Sequence, residues 1–184
     1  MKILVACEFS GVVRDAFIAK GHQALSCDLL PSERPGPHYQ GDIRDIINDT
    51  WDMMIAFPPC TYLCVVGSSW WYRQPWRLEK QKEALDFVRF LMAVDIPKIA
   101  IENPIGIIST AVRKPDQVIQ PYYFGHSESK KTCLWLKGLP GLMVNYVNLN
   151  TREFVNSMPK KDRAKNRSRT FSGIALAMAE QWSF

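Results

Sequence analysis

The sequence has no glycine-rich phosphate loop, few histidines and no long uninterrupted apolar stretch. Its longest nearly uncharged stretch, residues 51–72, is broken by two prolines and a glycine and carries Asp52, so it is a poor membrane span. Residues 1–8 contain a short apolar run but no small-residue cleavage site, so we do not expect a secretory signal. The sequence therefore predicts a cytoplasmic protein with no membrane partner.

The five cysteines are an odd number in a chain without a predicted secretory signal. Such cysteines are expected to be cytosolic thiols and not a disulfide framework. Cys60 and Cys64 are close enough in sequence to suggest a metal-binding pair, but Cys133 and the three histidines show no metal-like spacing. The sequence therefore predicts no metal site.

Composition and length indicate one globular domain over residues 1–184. Hydrophobic residues make up 47% and charged residues 22%, which excludes a disordered or fibrous chain. Residues 160–169 hold six basic residues and one acidic residue, which matches the net charge of +5 of the whole chain. A charge run is usually a solvated loop, but this one also suits the phosphates of a nucleic acid. The basic residues predicted for that contact are Lys160, Lys161, Arg163 and Lys165.

Strand-like and helix-like segments alternate over the first hundred residues. Continuous apolar runs predict buried strands, and apolar residues at helical spacing predict helices. The predicted strands are Lys2–Cys7, His22–Cys27, Trp51–Phe57 and Lys98–Ile101, and the predicted helices are Val12–Lys20 and about Leu78–Val94. This rhythm predicts an α/β fold with a doubly wound, Rossmann-like sheet.

The remaining segments are less regular. The proline-rich segment Leu30–Gln40 is predicted to be a loop. Tyr122–Phe124 and Thr132–Leu136 are predicted strands, and Ile174–Trp182 is a predicted amphipathic helix that closes the chain.

Polar or reactive residues follow four of the predicted strands, where an open α/β sheet binds its ligands. The four positions are Glu8–Gly11, Asp28, Pro58–Cys60 and Glu102–Asn103. An acid such as Asp28, at the end of the second strand, is placed to bind ribose hydroxyls, although aspartate is also common in turns and helix caps. The first turn, Glu8–Gly11, lacks the glycine patterns that bind phosphates, so we expect a nucleoside cofactor that has no phosphate group.

Cys60 is the strongest single candidate for a catalytic residue. It begins a loop after a predicted buried strand, and two prolines fix the backbone before it. A lone cysteine is more often an inert apolar residue, so the position alone does not decide its role. The following loop carries Trp70, Trp71 and Arg73, which suit stacking on a nucleic-acid base and equally suit packing against the next helix.

Ordered motifs over most of the chain resemble the cytosine carbon-5 methyltransferases that use S-adenosylmethionine (SAM). Phe57–Cys60 resembles the family's nucleophile motif, Ile101–Asn103 its Glu-Asn-Val motif, and Phe9–Gly11 the core of its cofactor turn. The remaining matches are Asp28, Gly41-Asp42-Ile43, Arg167-Ser168-Arg169 and the terminal helix, Gly173–Trp182. The chain is most similar to the short, single-domain members often carried by bacteriophages.

The resemblance implies a sheet of the SAM-dependent methyltransferase type and the activity of a DNA cytosine C5-methyltransferase. It makes Cys60 the nucleophile and Glu102 the acid that reads the pyrimidine edge. It makes Arg167 or Arg169 the group that holds the base or a nearby phosphate. The residues that it assigns to SAM are Glu8, Phe9, Ser10, Gly11, Asp28, Asp42, Ile43 and Pro58. The target base must be flipped out of a duplex or offered in a single strand.

The region that precedes the terminal helix is short compared with the family's target-recognition region. About thirty residues separate Gly138 from Arg167, so that region, about 138–166, is reduced or absent. We therefore expect relaxed selectivity, or selectivity supplied by a homodimer or a partner protein. The same chemistry on RNA or a free nucleotide, and a non-catalytic SAM- or DNA-binding module, remain alternatives. The presence of Cys60 and Glu102 argues against the non-catalytic alternative.

Overall fold

The structure, a computed structural model, describes residues 1–65, 74, 76–144, 147, 153–154 and 168–184. The strands are β1 (Lys2–Ala6), β2 (Gln23–Asp28), β3 (His38–Gln40), β4 (Met53–Ala56), β5 (Lys98–Pro104), β6 (Gln117–Ile119), β7 (Glu128–Ser129), β8 (Thr132–Lys137) and β9 (Glu153–Phe154). The α-helices are α1 (Val12–Ala19), α2 (Trp76–Ala93), α3 (Ile108–Ala111) and α4 (Ser172–Gln181), with 3-10 helices at Ile43–Asp45 and Pro121–Tyr123.

Seven of the described strands form one sheet in the order β3-β2-β1-β4-β5-β8-β6, and β7 pairs with β9 apart from it. The strands β1 to β5 pair in parallel, whereas β8 runs antiparallel to both β5 and β6. The chain moves from β1 to β2 on one side and crosses to β4 on the other, so the strand order reverses beside β1. Ligands of open α/β sheets bind at such a point, beyond the carboxyl ends of the strands. The predicted doubly wound, Rossmann-like fold is confirmed.

Alternate residues of the central strands face two separate hydrophobic cores. Ile3 and Val5 of β1 pack in the core formed with α1 and α4, while Leu4 and Ala6 pack in the core formed with α2. All four side chains are fully buried. The continuous apolar run of β1 is therefore explained by burial on both faces of the sheet.

Two segments differ from the sequence prediction. His38–Gln40, expected to be loop, forms β3 because it pairs in parallel with the end of β2. Tyr122–Phe124, expected to be a strand, contains the end of the 3-10 helix Pro121–Tyr123, whose first position suits the fixed φ of proline. The other predicted elements are present, with ends that move by up to three residues.

None of the five cysteines forms a disulfide. Within the described residues, no helix is long and apolar enough to cross a membrane. In the same part of the chain, no group of three histidine, cysteine, aspartate or glutamate residues is arranged to hold a metal ion.

Candidate active site

A cavity of about 250 Å³ lies beyond the carboxyl ends of β1, β2 and β4. Two carboxylates, Asp28 and Asp42, contribute to its wall together with the apolar side chains of Leu29, Ile43 and Phe87. Apolar walls suit a nucleobase, and carboxylates suit ribose hydroxyls. The cavity therefore has the chemistry of a nucleoside site at the switch point of the sheet.

Backbone amides orient both carboxylates. The Leu30 amide donates to Asp28 Oδ1 at 2.9 Å, and the Arg44 amide donates to Asp42 Oδ1 at 2.9 Å, which begins the 3-10 helix Ile43–Asp45. A carboxylate has room for about four hydrogen bonds, so Asp28 keeps capacity to accept from a ligand. The sequence prediction placed Asp28, Asp42 and Ile43 at the cofactor, and all three line this cavity.

Two cysteines in the cavity wall are held as thiols. Burial is the main cause that raises the pKa of Cys7 to about 12, with a further increase from the charge of Asp28. Burial and the charges of Asp28 and Asp42 likewise raise the pKa of Cys27 to about 12. Both cysteines are therefore mainly in the thiol form at neutral pH, and their side chains form part of the cavity wall.

The first turn, Glu8–Gly11, starts α1 and does not line the cavity. The Glu8 carboxylate is buried and accepts from the Val13 amide at 2.7 Å and from Ser10 Oγ at 3.1 Å. Burial raises the pKa of Glu8, and the hydrogen bonds from Val13 and Ser10 oppose that rise. Glu8 and Ser10 thus satisfy the helix N-terminus, and the SAM contacts assigned to them, to Phe9 and to Gly11 stay predictions.

The chain after β4 is fastened to the end of β5. The buried Asn103 side chain donates from Nδ2 to the Pro58 carbonyl at 2.7 Å. Further along, the Ile107 amide donates to the Leu63 carbonyl at 2.8 Å. These bonds hold the Cys60 turn, residues 60–64, against the segment that follows Glu102. The sequence placed Asn103 in a motif but did not reveal this bond to Pro58.

Two charged side chains lie within electrostatic range of the Cys60 thiol. Lys130 Nζ lies 3.9 Å from Glu102 Oε1, and the two side chains are 16% and 15% exposed. A hydrogen bond with Cys64 is the main cause that raises the pKa of Cys60, and burial and Glu102 raise it further, while the charge of Lys130 lowers it. Cys60 is therefore a thiol in this structure, beside an acid and a cation.

Arg169 lies against a different acid. Its Nε and Nη2 donate to the two carboxylate oxygens of Glu33 at 2.7 Å and 2.8 Å, and the Glu33 amide donates to the Phe9 carbonyl at 2.8 Å. Arg169 is thus placed near the first turn. Lys130, which the sequence did not reveal, lies beside Glu102.

The remaining predicted site residues lie outside the described part of the chain. They are Trp70, Trp71, Arg73, Lys160, Lys161, Arg163, Lys165 and Arg167.

Replacing Cys64 with alanine is expected to make Cys60 more reactive. The hydrogen bond that stabilises the Cys60 thiol is removed, so the pKa of Cys60 falls and more thiolate is present at any pH between 7 and 9. The fraction of thiolate rises about tenfold for each unit by which that pKa falls, but a less basic thiolate is also less nucleophilic, so the alkylation rate should rise by about threefold per unit. The measurement is the rate of iodoacetamide labelling of Cys60, followed by peptide mass spectrometry.

Lys130→Met is expected to change the labelling rate of Cys60 in the opposite direction. It removes the charge that lowers the pKa of Cys60, so labelling of Cys60 should slow at the same pH. Equal labelling rates in wild type and both variants would contradict the assigned surroundings of the thiol.

Comparisons with known proteins give weak similarity. No protein-family model matches the chain, and a search of curated proteins finds no match. The S. pombe Dnmt2 methyltransferase structure is similar with a TM-score of 0.48 and 15% identity, over 78% of this chain and 51% of that chain. A Spodoptera frugiperda DNMT2 mutant gives a TM-score of 0.43 and 14% identity, over 86% and 55%. The chain thus spans about half the length of both structures, and the assignment of the fold rests on the sheet order and the two cores.

Proposed function

We propose that this chain is a SAM-dependent DNA cytosine C5-methyltransferase with Cys60 as its nucleophile. The observation that carries the proposal is the continuity between the cavity and the thiol. Pro59 lines the cavity, and the next residue is Cys60, within range of Glu102 and Lys130. A site suited to a nucleoside and a nucleophile flanked by an acid and a cation therefore share one edge of the sheet.

The cavity residues fit the nucleoside part of SAM. Leu29, Ile43 and Phe87 would contact the adenine ring, and Asp28 would accept hydrogen bonds from the ribose. Oriented by the Leu30 amide, Asp28 keeps acceptor capacity toward the cavity. Bound SAM would supply the methyl group, and its sulfonium carries no phosphate, in agreement with the absence of a glycine-rich phosphate loop in the sequence.

The protein side chains have separate parts in the proposed reaction. The Cys60 thiol gives up its proton to solvent, and its thiolate adds to carbon 6 of cytosine. The electron pair of the C5–C6 double bond moves into the ring, which makes carbon 5 nucleophilic. The Glu102 carboxyl group hydrogen-bonds to or protonates the ring nitrogen and stabilises the charge that develops there. Carbon 5 would take the methyl group of SAM, which would leave as S-adenosylhomocysteine. Carbon 5 then loses its proton to solvent, the electrons of that C–H bond re-form the C5–C6 double bond, the S–C6 bond breaks and Cys60 is released as a thiolate. Lys130, close to both residues, favours the thiolate.

The experiment that tests the proposal is covalent trapping. The full chain is incubated with tritiated SAM and an oligonucleotide that contains 5-fluorocytosine, because fluorine at carbon 5 blocks the release of the thiol. We expect a DNA–protein complex with one methyl group transferred and the link at Cys60. Matched DNA and RNA oligonucleotides and free dCTP are assayed side by side. If RNA or dCTP is methylated and DNA is not, the substrate is RNA or a free nucleotide and not DNA. If none of them is methylated, the non-catalytic module is favoured.

The basic residues 160–169 predict a salt-dependent affinity for DNA. Each phosphate that they neutralise should contribute about −0.9 to the slope of log affinity against log salt concentration. Changing Lys160, Lys161 and Arg163 together to glutamine should make the slope shallower by about 0.9 for each phosphate that is no longer neutralised. Fluorescence anisotropy over a series of salt concentrations measures this. An unchanged slope would remove these residues from the proposed interface.

A further inference from the structure

Arg14 of α1 is fully buried, and its guanidinium holds the β2–β3 loop, residues 29–37. The loop acceptors are Ser32 Oγ at 3.1 Å and the carbonyls of Arg34 at 3.4 Å, Pro35 at 3.0 Å and Pro37 at 3.5 Å. Asp15 balances the charge, since its Oδ1 accepts from Arg14 Nε at 2.8 Å. One side chain from a helix therefore fixes several positions of a neighbouring loop.

Two glycines leave the space that this guanidinium occupies. A Cβ atom on Gly11 would lie 2.6 Å from Arg14 Nη2, and one on Gly36 would lie 2.8 Å from Arg14 Cζ. The φ angles of these glycines are 71° and 140°, a region that favours glycine. The backbone on both sides is therefore shaped around Arg14.

A chain of hydrogen bonds leads from Arg14 to the cavity. Nη1 donates to Ser26 Oγ at 3.2 Å, and Ser26 Oγ lies 2.9 Å from His38 Nδ1. With the Ser26 hydroxyl donating to Nδ1, the His38 Nε2–H donates to the Leu30 carbonyl at 3.0 Å. The Leu30 amide in turn donates to Asp28 Oδ1. The carboxylate that lines the cavity is thus oriented through bonds that begin at Arg14.

Arginine suits this position better than lysine would. The loop contains three prolines, which lack amide donors, so its carbonyls need donors from elsewhere. A planar guanidinium presents five N–H groups in a fixed fork and reaches several carbonyls at once, whereas an ammonium group is a point charge with three donors.

We propose that Arg14 is a positioning residue for the cofactor cavity. It holds the β2–β3 loop in the shape that places Asp28 and Leu29 in the cavity wall, and it acts through the loop because it does not itself line the cavity. This inference rests on the proposed function, since the ligand is taken to be SAM. Loss of the guanidinium should therefore weaken ligand binding more than it slows the reaction at saturation.

The test compares Arg14→Lys with wild type in the binding of S-adenosylhomocysteine (SAH) by calorimetry. We expect the Kd to rise about tenfold or more, because a wall that is no longer pre-organised must be ordered on binding. KM for SAM should rise in parallel, while kcat changes by less than about threefold. Hydrogen exchange of the Leu30 and Glu33 amides, measured without ligand, should become faster. Arg34→Ala is the matched control: this exposed arginine of the same loop lies 3.6 Å from Asp15, and its removal should leave the Kd unchanged.

A second variant covers the case in which Arg14→Lys does not fold. Ser26→Ala removes the hydroxyl between Arg14 and His38 while the hydrogen bonds from Arg14 to the loop remain, and the Kd should rise about threefold. If wild type binds SAH and every folded variant binds it equally well with equal exchange, the positioning role is overturned and the proposed function stands. If wild type does not bind SAH, the proposed function is overturned and the role of Arg14 with it.

Discussion

Replacing Cys60 with alanine is expected to lower methyl transfer by about 10³-fold or more, because the thiol that forms the bond to carbon 6 is removed. The substitution should leave the fold intact, since the Cys60 backbone carbonyl, which alanine keeps, accepts the backbone hydrogen bonds of this turn. That carbonyl accepts from the Leu63 and Cys64 amides, both at 3.0 Å. The measurement is tritium transfer from SAM to DNA, together with trapping on 5-fluorocytosine DNA.

Two comparisons separate loss of the nucleophile from loss of the site. Cys60→Ala should bind SAH with a Kd within about twofold of wild type, because the cavity wall next to it is provided by Pro59. Cys64→Ala should still form the trapped complex. If Cys60→Ala or Cys60→Ser methylates DNA as well as wild type does, the nucleophile is another residue.

Replacing Gly106 with alanine is expected to separate the Cys60 turn from β5 and lower kcat by about 10²-fold. A Cβ atom at this position would lie 1.9 Å from the Leu63 carbonyl oxygen and 2.9 Å from the Cys64 Cα. Both are backbone atoms that cannot rotate away, so the two segments must move apart. Overpacking of this kind also costs about 1–3 kcal/mol of stability.

The Gly106→Ala prediction is checked by kcat and by the melting temperature measured on the same preparation. Gly141→Ala is a matched control, because its Cβ would lie 3.2 Å from the Gln117 side-chain oxygen, and a side chain can adjust. We expect that variant to keep wild-type kcat. A Gly106→Ala protein with lowered stability and unchanged kcat would show that the spacing between the turn and β5 does not control the reaction.

The central sheet was predictable because its strands are buried on both faces. Residues 3–6 of β1 are fully buried and need apolar side chains at successive positions, which is a strong signal in any sequence. The edge strand β3 carries no such signal, since its residues His38, Tyr39 and Gln40 are polar or partly exposed. Its conformation is set by pairing with β2, which is a tertiary interaction.

The candidate site was predictable where a residue follows a parallel strand. Asp28 and Cys60 were placed at the carboxyl edge of the sheet by this rule alone, and the structure has both there. The rule does not say which backbone atoms a side chain will meet. Glu8 instead binds amides of α1, and Arg14 bonds to acceptors that lie 12 to 23 residues away. Such partners are fixed by how the loops fold back, which no local pattern encodes.

The reversed direction of β8 decides which of its ends reaches the candidate active site. A parallel strand places the residues that follow it at the edge of the sheet that carries the site, as β4 does with Cys60. Because β8 runs in the opposite direction, it places the residues that precede it at that edge. Lys130, two positions before Thr132, therefore lies beside Glu102 of the adjoining strand. In the parallel orientation Lys130 would sit at the opposite edge, roughly 20 Å away at a rise of about 3.3 Å per residue. In a sheet of this topology, the residues just before the antiparallel strand lie beside the acid at the end of β5, so a cation that pairs with that acid is expected among them.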